Sequence, residues 1–499
     1  MNASAGAIPP ELRRYAELDQ RLLAAVRGIH ILPTVAWPAS LESRMIEAYG
    51  KGQFTLPEVS YTRPDLAVAR AELAAIEAAA GGSDAQGIDP LGDYLRRTAE
   101  SWRIAAEMLE AVGTAGVTAP SIALYGKPGD LIPGSQRSNL DAARYFVELS
   151  DELGADLLAD DVDENIPATT LRDELAKTLD AFFGAGMIKV EVDSELTAKA
   201  AAGATRIRLR DGTRFSEYDR HQLLAHEAFV HSLTALNGRQ QPLLTSLART
   251  SPRVTATQEG LAVFAELMSG AIDIARLKRI SLRILAIDMA LNGADFVEVY
   301  KYFSACGQSV ADSFHSAQRV FRGVPLGGGA AFAKDNVYLS GLLTVHTFFR
   351  WAFKQQRMDL LRHLFAGKLT LHDVIALQPH FASGAIVPPR WLPPWMQHVH
   401  GLAGKLAFSV FINGIHMNRV HGDELLQSVQ CGVLPRCERT GLGRPGANIT
   451  GGQPPVAGAA PPPIKTHPWP SPKICATPPL NIIVFRDPAK SRSPRPPRC

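Results

Sequence analysis

The sequence predicts a mostly α-helical protein with a small β-sheet, an α+β chain built around a helix that carries an HExxxH run. Three observations lead there. Four long segments repeat apolar residues at helical spacing. Two short segments alternate apolar and polar residues, as half-buried strands do. Between those strands and a second set of helical segments lies LLAHEAFVHSL, Leu223 to Leu233, which holds His226, Glu227 and His231.

The helical segments come first along the chain. AELDQRLLAAVRGI, DLAVARAELAAIEAAA, LGDYLRRTAESWRIAAEMLEAVG and TLRDELAKTLDAFFGAG each place apolar residues on one face. Joints rich in Pro and Gly, such as TLPEVSYTRP and LYGKPGDLIPGS, separate them. The period then falls to two. MIKVEVDSE (Met187 to Glu195) and TRIRLRDG (Thr205 to Gly212) read as strands, the second ending in an Asp-Gly turn. Helices resume at Ser216 and continue to about Leu377. No fixed-period repeat is evident, so a solenoid is not expected.

The HExxxH helix is well bounded. Ser216 with Asp219 three residues on forms a near capping box, and Asn237-Gly238 supplies a stop. Its histidines stand at i and i+5, about 140° apart on an ideal α-helix, where they would point away from each other. A one-residue π-bulge between them removes the conflict, and such bulges mark functional sites. A catalytic zinc takes three protein ligands and keeps one position open. The third is sought in TATQEGLAVFAEL, where Thr255 and Gln258 have capping-box spacing and Glu259 falls in the first turn. Glu266, seven residues on, shares that face. It is the alternative ligand, or else a supporting or surface carboxylate.

Composition excludes several classes. The chain has 499 residues, 46% hydrophobic and 20% charged, which suits a globular core. A net charge of +3 without basic clusters in the main body gives no nucleic-acid footprint. No membrane span is expected, because the richest apolar run, Gly341 to Phe353, is short and contains His346 and Arg350. MNASAGAIPPELRRYAELDQ carries no basic start and apolar run of a secretory leader. Of five cysteines only Cys306 lies in the main body; this is no disulfide scaffold, and a cytoplasmic location is expected. Cys431 and Cys437 lack the CxxC spacing of a structural zinc site, and the sequon at Asn448 reads as accidental. The last segment, from about residue 439, is dominated by Pro and Gly and is expected to be disordered. It is either an inert tail or a ligand for a partner of Pro-rich segments; a frameshifted or read-through end is the further alternative.

HEAFVH followed by QEGLA resembles the bacterial proteins named for a QEGLA motif and for modulating flavohemoglobin expression, relatives of the animal microtubule-associated tyrosine carboxypeptidases. The resemblance extends over most of residues 50 to 396 and includes LPEVSY, IALYGKPGD, HEAFVHSLTALNGRQQP, RVFRG and FAKDNVYLSG. It implies a zincin-like metallopeptidase domain with zinc on His226, His231 and Glu259 and with Glu227 as general base. The animal enzymes remove a C-terminal residue from tubulin, a substrate that does not transfer to this chain. The domain organisation expected is a helical region, 1–187, packed on a catalytic region, 188–400, followed by an extension, 401–499, without counterpart in the family.

A carboxypeptidase needs a cation for the free carboxylate of its substrate. Arg319, Arg322 and Lys334 are candidates, of which Arg322 and Lys334 are preferred. Tyr338 lies four residues after Lys334 and is the candidate for oxyanion stabilisation; a simple surface contact between the two is the alternative. Gly327-Gly328-Gly329 lacks a phosphate-loop pattern, and His221, His346, His363 and His372 read as ordinary helix or core histidines. The leading function is zinc-dependent removal of a C-terminal residue. A dipeptidyl- or endopeptidase of HExxxH type and a non-catalytic zinc-binding regulator are the alternatives; the intact Glu227 argues against the last.

Overall fold

Each of the four segments with helical spacing is a helix, over Arg13–Ala25, Ala67–Ala80, Pro90–Glu110 and Ala168–Phe183. Pro90–Glu110 starts as its sequence dictates. Asp89 accepts the Gly92 N–H at the N-cap, and Pro90 sits where a missing N–H costs nothing. This helix lies against Ala67–Ala80 and buries Leu91, Leu95 and Ala99 with Leu73 and Ile76. The computed structural model describes residues 9–412, apart from 82–88, 154–163, 197–198 and 398. The Pro-rich tail, Cys431, Cys437 and the sequon lie outside the described residues. Residues up to Ile412 belong to one compact unit.

Among the described residues five strands precede the HExxxH segment: β1 (Ile166–Pro167), β2 (Lys189–Asp193), β3 (Ala200–Gly203), β4 (Arg206–Arg210) and β5 (Arg214–Phe215). The two expected from alternation, β2 and β4, pair in parallel with Val190 opposite Ile207. β3 joins the other side of β4 antiparallel, giving the order β2-β4-β3. Its sequence, Ala-Ala-Ala-Gly, has no β-branched residue and no alternation, so nothing local announces it. β1 and β5 form a separate two-stranded pair. Inward-facing Ile207 and Leu209 of β4 are fully buried.

Ser216 caps the next helix, Glu217–Gln222, with the reciprocal bonds to Asp219 that the sequence predicts. The expected one-residue bulge is longer than predicted: all of Leu223–Ser232 is π-helix, continued by an α-helical turn, Leu233–Gly238. That turn ends near Gly238, though not through a left-handed glycine. Gly238 instead allows a close approach, because a Cβ there would overlap the Leu247 carbonyl. Asn237 is turned inward. Its amide donates to the carbonyls of Phe365 (2.9 Å) and Trp391 (2.8 Å) and its oxygen accepts from the N–H groups of Arg390 and Trp391.

The capping box predicted at Thr255 and Gln258 does not form. A 3-10 turn, Pro252–Val254, runs straight into the helix Thr255–Ser269, so Thr255 already has helical dihedrals and its hydroxyl bonds back to the Ser251 carbonyl. Glu259 accordingly sits one turn beyond the true start of the helical path.

Among the described residues no helix is long and apolar enough to cross a membrane. The apolar run from Gly341 to Phe353 belongs to Asn336–Lys354, which packs lengthwise on Thr255–Ser269. Two glycines set that contact. A Cβ on Gly341 would overlap the Ala256 carbonyl and stand 2.9 Å from Gly260 Cα, while one on Gly260 would overlap the Gly341 backbone. Backbone atoms cannot swing aside as a side chain can. Ala in a helix interior normally gains roughly 0.5–1 kcal/mol over Gly. Here overpacking, about 1–3 kcal/mol, exceeds that gain. Gly341→Ala is therefore expected to lower the urea midpoint; a midpoint at or above that of the parent protein would mean the helices can part at no cost.

Candidate metal centre

The π-helix decides the geometry of the site. With hydrogen bonds from i to i+5, residues five apart come onto one face, as residues four apart do in an α-helix. His226 and His231 thereby become neighbours, with ring centroids 4.9 Å apart. The Thr255–Ser269 helix lies against this segment and brings in Glu259. Glu259 Oε2 is 3.5 Å from His226 Nε2 and 3.7 Å from His231 Nε2. One ligand atom from each of the three residues lies within 4.8 Å of the others, a cluster able to hold one metal ion.

The donor set fits such an ion. Two imidazoles and one carboxylate leave a further position open, the pattern of catalytic rather than structural zinc. The ring of His226 is also held in the correct sense. Its Nδ1 is 2.6 Å from Glu266 Oε1, so an ionised Glu266 accepts a hydrogen bond from the Nδ1 N–H and leaves Nε2 facing the cluster. Glu266 is fully buried and is paired in turn with Arg276, through Nη2 at 2.6 Å and through Nε. The alternatives of ligand or surface carboxylate for Glu266 thus give way to a residue that orients His226. Burial opposes ionisation of Glu266, but His226 and Arg276 outweigh it and lower its pKa.

Charge at the cluster is balanced by its neighbours. Burial disfavours a charged His226, yet Glu259 and Glu266 raise it to about 10. Burial likewise opposes the Glu259 anion, and Lys334 with the two histidines holds that carboxyl well below its usual range. Glu227 stands beside the ligands, its Oε1 3.8 Å from His226 Nε2, and is partly exposed. It lines a cavity of about 520 Å³ together with His231, Glu259, Lys334, Arg249 and Trp102. The cavity wall also includes Ala202 and Gly203 of β3, and Ser232 Oγ donates to the Gly203 carbonyl at 3.1 Å, tying the sheet to the π-helix.

The other predicted residues divide. Lys334 reaches the site, with Nζ 3.6 Å from Glu259 Oε1. It also stands 5.5 Å from the Tyr338 ring centroid, so the two share a face as predicted, in the interior rather than at the surface. Tyr338 and Arg322 do not line the cavity. Arg319 forms a bidentate pair with Asp335 and is thereby engaged elsewhere. Arg322 Nε is buried without a hydrogen-bond partner.

Two site residues escaped the sequence reading. Lys368 Nζ donates to the His231 carbonyl and to Gln258 Oε1, both at 2.9 Å. Burial pushes its ammonium down to about 7, against the pull of Glu259 and Glu227. It lies 110 residues from Gln258, in an ordinary-looking AGKLTLHD run, and carries no local signal. Gln258, read as a helix cap, is a buried polar anchor that also accepts from Thr234.

A family model described as microtubule-associated tyrosine carboxypeptidase matches residues 49–414. The chain belongs to this family. The matched span contains all three residues of the cluster, Glu227, and the cavity lining from Trp102 to Lys368. Membership makes it a carboxypeptidase-like hydrolase. No curated protein matches the chain.

Proposed function

We propose that this protein is a zinc metallocarboxypeptidase that removes a C-terminal residue from a peptide or protein. The observation that carries the reading is the cluster of His226, His231 and Glu259, with His231, Glu259 and Glu227 on the wall of one cavity. The family's peptidase activity supports it. The ion expected is zinc, since a two-histidine, one-carboxylate set with an open position suits it. When bound, it supplies Lewis-acid polarisation of water and of the scissile carbonyl. Glu227 accepts the proton of the attacking water and returns it to the leaving amine. Glu266 and Arg276 keep His226 in its ligating tautomer. In this reading 188–400 is a zincin-like catalytic region in the cytoplasm, and 1–187 packs on it and completes the cavity with Trp102 and Tyr125.

The test is a library of synthetic peptides differing at the C-terminus, incubated with the full chain and read by mass spectrometry, with zinc and after chelation. Loss of single C-terminal residues that stops on chelation is the expected result. Zinc-dependent release from the N-terminus, or internal cleavage, would replace the reading with a dipeptidyl- or endopeptidase.

A further inference from the structure

We propose that Arg249 binds the terminal carboxylate of the substrate, with the Gln258 side-chain amide as a second donor to the same end of the peptide; this rests on the carboxypeptidase reading above. The cations suggested by sequence do not meet the need. Arg322 is not on the cavity wall, and Lys334 already faces the Glu259 carboxylate. Arg249 lines the cavity and has no carboxylate partner among the described residues.

Its surroundings prepare it for an anion. Nη2 donates to the Val26 carbonyl at 3.2 Å, and the guanidinium lies 5.6 Å from the Trp102 ring centroid. Both contacts fix the side chain without neutralising it. Burial and the nearby Arg27 both disfavour its positive charge, a cost that a bound carboxylate offsets. The backbone that carries it is also fixed. Arg249 follows the 3-10 turn Thr245–Ala248, and the Leu247 carbonyl in that turn accepts the Lys368 N–H at 2.7 Å. Gly238 and Gly367 both approach Leu247 so closely that a Cβ on either would collide with it.

Gln258 supplies the independent observation. It is 1% exposed, it lines the same cavity, and its Nε2 is buried with no hydrogen-bond partner. Its Oε1 accepts from Lys368, an obligate donor, so turning the amide over would set Nε2 against the ammonium. An orphaned buried donor is costly and points to a ligand oxygen. A planar guanidinium matches a carboxylate in a way that a single ammonium does not.

The experiment uses the full chain and synthetic peptides that the parent protein trims, each made as the free acid and as the C-terminal amide. The parent protein is expected to prefer the acid in kcat/KM. Arg249→Met keeps an apolar stem against Trp102 and is expected to reduce the acid-over-amide preference about 10–100-fold, mainly through KM, the range for a hydrogen bond to a charged group. Arg249→Lys should restore part of it. Metal content and near-ultraviolet circular dichroism check that the variants are folded. If Arg249→Met discriminates acid from amide as well as the parent protein does, the assignment to Arg249 is wrong although the carboxypeptidase reading stands. If the parent protein itself shows no preference for the acid, the carboxypeptidase reading falls and this assignment falls with it.

Discussion

Glu227→Gln is expected to cut peptidase turnover by about 10²–10⁴-fold while leaving the metal in place, the usual range for loss of general acid–base catalysis. The position of Glu227 is the reason. It follows His226 in sequence, yet its side chain lines the cavity and is not one of the three clustered candidate ligands. Gln keeps the size and shape of the side chain and removes the acceptor of the proton. The measurement pairs metal content with turnover. Glu259→Gln is the control, and it should lose metal because a neutral amide is a poor zinc ligand. Loss of metal from Glu227→Gln would make Glu227 a ligand. Full turnover with metal retained would dispose of the proposed mechanism.

The second large effect concerns the metal itself. The parent protein should bind about one zinc per chain, as a single three-ligand cluster requires. His226→Ala with His231→Ala should abolish binding, because one carboxylate alone cannot hold the ion. Glu266→Gln should lie between, with affinity weakened about 10–100-fold, the usual cost of removing a partner that orients a ligating histidine. That intermediate value separates the roles of two carboxylates seven residues apart on one helix. Titration with a zinc-competing chelator reads all three proteins. Undiminished zinc in the double variant would place the site elsewhere. Unchanged affinity in Glu266→Gln would mean that the Nδ1 contact does not orient His226.

Much of the fold was legible because local pattern and tertiary demand agree. The helices Arg13–Ala25 and Pro90–Glu110 bury the faces that their spacing marks. Ser216 and Asp219 cap as their types dictate, since both bonds lie within four residues. Thr255 and Gln258 show the limit of the same signal. Their spacing is identical in kind, but a preceding 3-10 turn absorbs the helix start, and Gln258 is worth more as a partner of Lys368 and Thr234 than as a cap. The edge strand Ala200–Gly203 was missed for a similar reason. It is a strand because β4 offers it a free edge, and its own composition does not ask for one.

By itself, then, the sequence determined the helical class and the two alternating strands, through residue types repeated at short, regular spacing, and it named His226, His231 and Glu259 as metal-ligand candidates. It also implied a departure from the α-helix, because two histidines five apart cannot otherwise serve one ion. Tertiary structure decided the rest. The π-helix extends over ten residues, Leu223–Ser232. Glu266 became the partner of His226, Arg319 was drawn away to Asp335, and Lys368 was carried into the site from more than a hundred residues away. These outcomes depend on which buried charges meet. A buried polar group must find a partner wherever the chain brings one, and no local spacing records that choice.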